Sequence, residues 1–133
     1  MIGIDTHVLV RMLTGDDPRQ LSLAQTFLRT HCGDTNPAWI GIITMIETVW
    51  VLESRYRFDR ADIAHAFDRI LQTEYVSLES EPLVKAALVD YRAGRDFSDA
   101  LMSRCNRAAG CTTTITFDRH AAAGIDGFTL LAP

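Results

Sequence analysis

Short apolar runs rich in β-branched residues alternate with stretches of helical periodicity along the chain. Five runs have the composition of strands: positions 1–5, 39–43, 75–78, 112–117 and 128–131. Apolar residues at helical spacing follow five sites that favour the start of a helix: Asp17-Pro18, Thr44, Asp59, Ser80 with Pro82, and Asp96. A short helical turn is predicted over 119–123. Strands separated by helices pair in parallel through right-handed crossovers, so the pattern predicts an α/β fold, a three-layer sandwich.

The length and composition fit one globular domain, residues 1–133, with 47% hydrophobic and 23% charged residues. Trp39 and Trp50 have apolar neighbours and are expected in its core. No apolar run reaches the roughly 18 residues of a membrane helix, and Asp5 interrupts the run that a signal peptide would need. We therefore expect a cytoplasmic protein with no membrane partner. Three cysteines without CxxC spacing predict neither a disulfide framework nor a zinc site.

The charge balance gives two opposing indications about nucleic acid. Acidic residues outnumber basic ones by 17 to 13, and the net charge of −4 disfavours a nucleic-acid partner. All the basic residues except Lys85 are arginines, whose guanidinium groups bind phosphate in a bidentate manner. A GC-rich genome would produce the same arginine bias. Arg11, Arg95, Arg104 and Arg119 are candidate phosphate contacts, although solvated arginines on helix faces are more common.

Acidic residues lie where the predicted strands end and helices begin. Asp5 ends the first strand, Glu47 follows the second, and Asp118 follows the fourth. Asp96 and Asp99 lie in the first turn of the helix before the fourth strand. Because ligands of open α/β sheets bind beyond the carboxyl ends of the strands, we expect these side chains to share one edge of the sheet.

Each acid also has a structural explanation. Glu47 lies three residues after Thr44, as in a capping box, and Asp96 and Asp99 have the spacing of an N-cap and its third helical residue. Asp5 would serve as a helix cap, and Asp118 would serve as a turn residue. Several carboxylates in one crevice, however, repel each other unless a cation neutralises them. The group therefore favours a divalent-metal site. Ligands that are all oxygen favour Mg²⁺ or Mn²⁺, and such a site suits phosphodiester hydrolysis.

Four segments together carry a resemblance to a known family. They are IDTHVLVRMLTGDDP at 4–18, TMIETVWVLESRY at 44–56, DFSDALM at 96–102 and TITFDRH at 114–120. In this order the set resembles PIN-domain ribonucleases and, more narrowly, the VapC toxins of bacterial VapBC toxin–antitoxin pairs. The resemblance covers essentially the whole chain. It implies a parallel five-stranded sheet in the order 3-2-1-4-5, flanked by helices.

The resemblance also implies a Mg²⁺-dependent endoribonuclease, with Mn²⁺ as an alternative metal, and a role for each matching acid. Asp5 and Asp99 would be the primary metal ligands. Glu47 would bind the metal or orient its water. Asp118 would support a second metal or the attacking water. The implied partners are an RNA substrate, a second copy of the chain, and a small VapB-like antitoxin whose tail covers the acidic crevice, often through an Arg.

Three further positions match residues that support the site in the family. Asp96 and Thr116 correspond to a further ligand or to neighbours of the ligands. His7 stands where the family usually has Asn. A neutral His also donates and accepts hydrogen bonds, but with a different reach, and a protonated His7 would repel the metal.

The same residues do not fit several other enzyme classes. A haloacid-dehalogenase-like phosphotransfer would need DxD, but position 7 is His. A receiver domain would need an Asp where Glu79 stands and a Lys late in the chain. Neither glycine-rich nucleotide-binding motif is present in the sequence. The alternative that stays open is a non-catalytic PIN-fold module that binds RNA or protein, which His7 favours.

Overall fold

A computed structural model describes residues 1–132, so that Pro133 of the predicted 1–133 domain lies outside the described residues. The described chain divides into two compact units, one of Met1–Glu81 and one that begins at Pro82. We call them the amino-terminal and the carboxy-terminal unit. That the chain forms a single domain stays a prediction.

The amino-terminal unit consists of a parallel sheet and four helices. Its strands, in the spatial order β1-β2-β3, place Ile2 opposite Ala38 and Trp39 opposite Ser77. Its elements in chain order are β1 (Ile2–Gly3), α1 (Thr6–Thr14), α2 (Pro18–His31), β2 (Ala38–Ile40), α3 (Ile42–Ser54), α4 (Arg60–Leu71) and β3 (Val76–Leu78).

The carboxy-terminal unit consists of helices and a parallel pair of strands. The pair places Thr114 opposite Phe128, and α5 begins at the last residue of the preceding unit. The elements are α5 (Glu81–Arg92), α6 (Phe97–Ala108), β4 (Thr114–Thr116), α7 (Arg119–Gly124) and β5 (Phe128–Leu130). The predicted α/β class, the parallel pairing and the neighbours 3-2-1 and 4-5 are confirmed; the hydrogen-bonded ladders form one sheet of three strands and one of two.

Short-range caps determine where several helices begin. The Asp17 carboxylate accepts a hydrogen bond from the Gln20 amide at 3.0 Å, and Pro18 occupies the first turn of α2. Asp59 caps α4 in the same way, through the Asp62 amide at 2.8 Å. At the end of α1, Gly15 takes the left-handed conformation with φ +64°, which favours glycine. These starts agree with the sequence pattern.

One predicted helix start and one predicted core residue are wrong, both on α3. The helix begins at Ile42 rather than Thr44, with Gly41 as its N-cap. Its first turn is capped by the Glu79 side chain, whose Oε1 accepts a hydrogen bond from the Ile42 amide at 3.0 Å. Trp50 is 57% exposed rather than buried, because it lies on the face of α3 opposite to Val49 and Leu52.

Apolar side chains from helices and strands fill the core of each unit. In the amino-terminal unit Leu9, Met45 and Phe67 are at most 1% exposed. In the carboxy-terminal unit Tyr91 and Phe97 pack edge to face, with ring centroids 6.0 Å apart. α2 is different, since none of its residues is buried. Within residues 1–132, every helix is too short or too polar to cross a membrane.

Candidate active site

Asp5 and Glu47 line the same cavity in the amino-terminal unit. The cavity has a volume of about 320 Å³, and its remaining lining comes from Thr6, His7, Ile43 and Thr44. Asp5 directly precedes α1, and Glu47 lies in the second turn of α3, a helix that packs on α1. Both carboxylates are exposed to solvent. The fold of this unit therefore brings together two of the predicted acids and His7.

The Asp5 carboxylate has a structural role as well. Its Oδ1 accepts a hydrogen bond from the Val8 amide at 2.9 Å, which makes Asp5 the N-cap of α1. The carboxylate faces a helix N-terminus, where the helix dipole favours negative charge. Capping uses one of the two carboxylate oxygens, so it is compatible with a second contact to a cation.

The capping-box explanation for Glu47 is wrong. Thr44 is not the N-cap of α3, because the helix already begins at Ile42. Glu47 therefore lies beyond the first turn, where a carboxylate has no free backbone amides to accept from. Its exposed position in the cavity leaves it without the structural role that the sequence offered as an alternative.

In the carboxy-terminal unit Asp96 is the N-cap of α6. One of its carboxylate oxygens, Oδ2, accepts a hydrogen bond from the backbone amide of Asp99 at 2.9 Å. The Asp99 side chain follows in the first turn of the same helix. The N-cap role that the sequence predicted for Asp96 is confirmed.

Asp118 and Thr116 form a second cap in this unit. Asp118 Oδ1 accepts hydrogen bonds from the amides of His120 at 2.8 Å and Ala121 at 3.1 Å, and thereby begins α7. Thr116 Oγ1 in turn accepts a hydrogen bond from the Asp118 amide at 3.0 Å. Thr116 therefore orients the backbone that carries Asp118.

The electrostatics of the carboxy-terminal unit are unfavourable for Asp99. Burial raises the pKa of its carboxyl group, and the negative charges of Asp96 and Asp118 raise it further. A cation beside Asp99 would relieve this repulsion. Among residues 1–132, no group of three or more His, Cys, Asp or Glu side chains is arranged to hold a metal ion.

A larger apolar groove runs along α1 and α2 in the amino-terminal unit. Its volume is about 720 Å³, and Asp5 and His7 lie in its lining. Leu23 and Phe27 of α2 also line it and are 64% and 46% exposed. This groove is not among the features predicted from the sequence, although the spacing of Leu23 and Phe27 within α2 is a sign of an apolar helix face.

Comparison with known proteins adds to this geometry. The family model described as PIN domain matches residues 2–124. The chain belongs to the PIN domain family. The match includes all the acids considered above, from Asp5 to Asp118. The chain is also 28% identical over 119 residues to a VapC ribonuclease of Aquifex aeolicus (strain VF5), covering 88% of this chain and 87% of that protein. The resemblance predicted from the four sequence segments is thereby confirmed.

Proposed function

We propose that this PIN-domain protein is a metal-dependent endoribonuclease that hydrolyses phosphodiester bonds of RNA and acts as a toxin. The family membership and the similarity to a VapC ribonuclease support the reaction class. The observation that carries the proposal is the grouping of carboxylates, with Asp5 and Glu47 in one cavity and the pKa of Asp99 raised by burial and by the negative charges of Asp96 and Asp118. Repulsion of this kind costs stability unless a cation or a proton offsets it.

The donor atoms suit Mg²⁺, with Mn²⁺ as the alternative. The candidate ligands Asp5 and Asp99 supply only oxygen, and Mg²⁺ prefers one or two carboxylates together with water and substrate phosphate. A site of that kind needs no cage of three protein ligands. The ion would supply Lewis acidity, activating water and stabilising negative charge at the phosphorus.

Four side chains would activate the water and hold the site in place. Glu47 accepts a proton from the attacking water and orients it. As the water oxygen bonds to phosphorus, the bond from phosphorus to the leaving ribose oxygen breaks, and that oxygen takes up a proton from solvent. Asp118 supports the water or a second ion, and the Thr116 hydroxyl holds the Asp118 backbone in place. His7 lies in the same cavity as Asp5 and Glu47, where its ring N–H would supply a hydrogen-bond donor.

The test is RNA cleavage by the wild type and by Asp99→Asn, with and without a chelator. We expect cleavage by the wild type in Mg²⁺ and a loss of at least about a hundredfold in the variant, because an amide binds Mg²⁺ more weakly than a carboxylate. Asp99→Asn should also unfold at a higher temperature than the wild type in chelator, since it removes a repelled charge.

Asp62→Asn is the matched control, an acid in the first turn of α4 outside both candidate groups. It should cleave as the wild type does. Equal cleavage by the wild type and Asp99→Asn, or cleavage that survives chelation, would contradict the proposal. RNA binding without cleavage would support the non-catalytic alternative, which His7 favours.

The proposed regulator is a small antitoxin that occupies the groove along α1 and α2. The groove is lined by the exposed apolar side chains Leu23 and Phe27 and also by Asp5. A partner chain whose apolar residues fill the groove would bring a basic residue to the carboxylate of Asp5. Such a contact would compete with the metal for the same charge.

A variant in the groove separates regulation from cleavage. Phe27→Ser removes an exposed aromatic side chain from α2 and should weaken antitoxin binding about tenfold or more, as expected when an interface aromatic is lost. RNA cleavage by the free protein should be unchanged. Ile115→Ser, an exposed apolar residue of β4, is the control. If Phe27→Ser instead changed the oligomeric state and left antitoxin binding intact, the groove would bind a second copy.

Homodimerisation and a cytoplasmic location stay predictions. The exposed Ile43 and Trp50 side chains of α3, 79% and 57% accessible, support the first, because large exposed apolar residues on one helix are typical of interfaces.

A further inference from the structure

A cavity in the carboxy-terminal unit is lined by three arginines and two aspartates. Its volume is about 310 Å³, and its charged lining consists of Asp90, Arg95, Arg104, Arg107 and Asp126. The formal charge of this lining is positive by one. None of the acids proposed for the reaction belongs to the lining, so the cavity is separate from the groups considered above.

Arg104 is fixed in this cavity by a two-point ion pair. Its Nε donates to Asp90 Oδ2 at 2.7 Å and its Nη2 to Asp90 Oδ1 at 3.1 Å. The pair joins α5 to α6 and neutralises both charges. Arg104 is therefore part of the frame of the cavity rather than a free donor for a ligand.

Arg107 forms a much weaker ion pair than Arg104 does. Its Nη2 lies 3.3 Å from Asp126 Oδ2, with the two side chains 50% and 95% exposed. An ion pair this exposed contributes little net stability. Guanidinium has five N–H donors, and a phosphate can accept from two of them at once. A phosphate would therefore replace this contact at little cost.

Two glycines let the backbone pack directly against the arginines. A Cβ at Gly124 would lie 2.8 Å from Arg95 Nη1. A Cβ at Gly127, whose φ is +100°, would lie 2.8 Å from Arg107 Nη2 and would overlap the Ser103 hydroxyl. The absence of a side chain at both positions therefore lets the backbone lie against the two guanidinium groups.

The segment from Gly124, the last residue of α7, to Gly127 is itself anchored. The Ser103 side chain is buried, at 4% exposure, and its hydroxyl donates to the Asp126 carbonyl at 2.7 Å. The backbone of the turn is thus held on α6, while the Asp126 side chain extends into solvent. The carboxylate can turn away from Arg107 without a change in the fold.

We propose that this cavity binds a phosphate group of the RNA backbone through Arg95 and Arg107, away from the bond that is cleaved. The inference rests on the proposed ribonuclease function and deepens it. Every nucleotide of an RNA carries a phosphate, so a strand engaged in cleavage presents further phosphates to the surface. Contacts to them add affinity without reading sequence.

The experiment measures RNA affinity as a function of salt in the non-cleaving Asp99→Asn protein. Arg107→Gln and Arg95→Gln, added singly, should weaken binding several-fold and lower the slope of log affinity against log salt by about 0.7, the value for one phosphate contact on a single strand. Asp126→Asn should tighten binding, since it removes the carboxylate that competes for Arg107. Arg19→Gln, an exposed arginine of α2, is the matched control and should change neither quantity.

The outcomes separate this inference from the proposed function. In the cleavage-competent protein, Arg107→Gln should raise KM and leave kcat unchanged. If the wild type cleaves RNA but the arginine variants keep its affinity for RNA and its salt slope, the proposed ribonuclease function is retained and the phosphate site is overturned.

Inorganic phosphate should compete with RNA for the cavity only at high concentration. If it binds tightly through Arg107 while RNA affinity is unaffected by the variants, the cavity takes free phosphate. If the variants impair only antitoxin binding, it takes an acidic protein segment. Either result overturns the inference.

Discussion

Asp16 accepts hydrogen bonds from two hydroxyl groups, Tyr56 Oη at 2.6 Å and Thr14 Oγ1 at 2.8 Å. The bond from Tyr56, the bond from Thr14 and the charge of Arg11 lower the pKa of this carboxyl group below its usual value, although burial opposes them. Arg11 Nη1 also donates to Tyr56 Oη at 2.9 Å. These contacts join the end of α1 to the segment after α3.

This network predicts a pH dependence of stability. Because the pKa of Asp16 is lower in the folded than in the unfolded chain, the unfolded chain binds more protons in acid. The stabilisation is therefore complete above the unfolded pKa of about 3.8 and is lost as the pH falls through the folded pKa. Tyr56→Phe removes the largest cause of the shift, so the free energy of unfolding should fall less between neutral pH and about pH 3 than in the wild type.

Urea unfolding at a series of pH values checks this prediction. Tyr75→Phe is the matched control, the same substitution at a half-exposed tyrosine. Its curve should run parallel to that of the wild type. A parallel curve for Tyr56→Phe would show that Asp16 does not depend on this hydroxyl.

The capping of α3 shows how a residue far along the chain holds the helix that carries Glu47. Gly41 offers no side chain at the N-cap, and Glu79, which follows β3, supplies the acceptor instead. Glu79→Ala should cost about 1 kcal/mol of unfolding free energy, as expected for the loss of a capping group. It should also reduce RNA cleavage, since Glu47 lies in the next turn.

Chemical denaturation and cleavage assays on paired variants test the cap. Glu79→Gln keeps an oxygen acceptor and should retain most of the stability. Glu74→Ala, in the segment before β3, should change stability by no more than about 0.5 kcal/mol. Equal losses for Glu79→Ala and Glu74→Ala would mean that the Ile42 amide does not need the carboxylate.

Local chemistry accounts for the elements that the sequence could predict. Asp17, Asp59 and Asp96 cap helices through amides only three residues away, so the pattern contains both partners. The start of α3 could not be found in this way, because Glu79 is 37 residues from Ile42. The predicted strands are longer than the observed ones for a related reason, because strand length depends on a distant partner: within the predicted strand 112–117, only Thr114–Thr116 pair with β5.

The net charge of the chain no longer disfavours an RNA partner when the proposed reaction acids are counted separately. Without Asp5, Glu47, Asp99 and Asp118, acidic and basic residues are equal in number. The net charge of −4 thus equals that of the proposed reaction acids, and it is not evidence of a surface that repels RNA everywhere. The sequence could supply the count and the candidate acids. It could not supply the cavity that groups Arg95, Arg104 and Arg107, because their proximity depends on how the turn at Gly124 and Gly127 packs.

This distribution of charge predicts that RNA binding depends on the metal. Mg²⁺ at constant ionic strength should raise the affinity of the wild type for a non-cleavable RNA analogue several-fold, because the ion offsets the carboxylates locally. The double variant Glu47→Gln, Asp99→Asn should bind more tightly than the wild type in chelator and gain less from Mg²⁺. Fluorescence anisotropy measures both. An affinity of the wild type that does not respond to Mg²⁺ would contradict the prediction.

The helix caps made by Asp5, Asp96 and Asp118 have a consequence for how this protein can evolve. Substitution of any of these residues by one without a side-chain oxygen removes a hydrogen bond that starts a helix, so a lesion of that kind that abolishes activity also lowers the yield of folded protein. The Glu47 and Asp99 side chains do not cap a helix in the described structure. In a genetic screen for inactive proteins that still accumulate at normal abundance, replacements should therefore concentrate at these two positions. An inactive lineage could lose them without first acquiring compensating mutations.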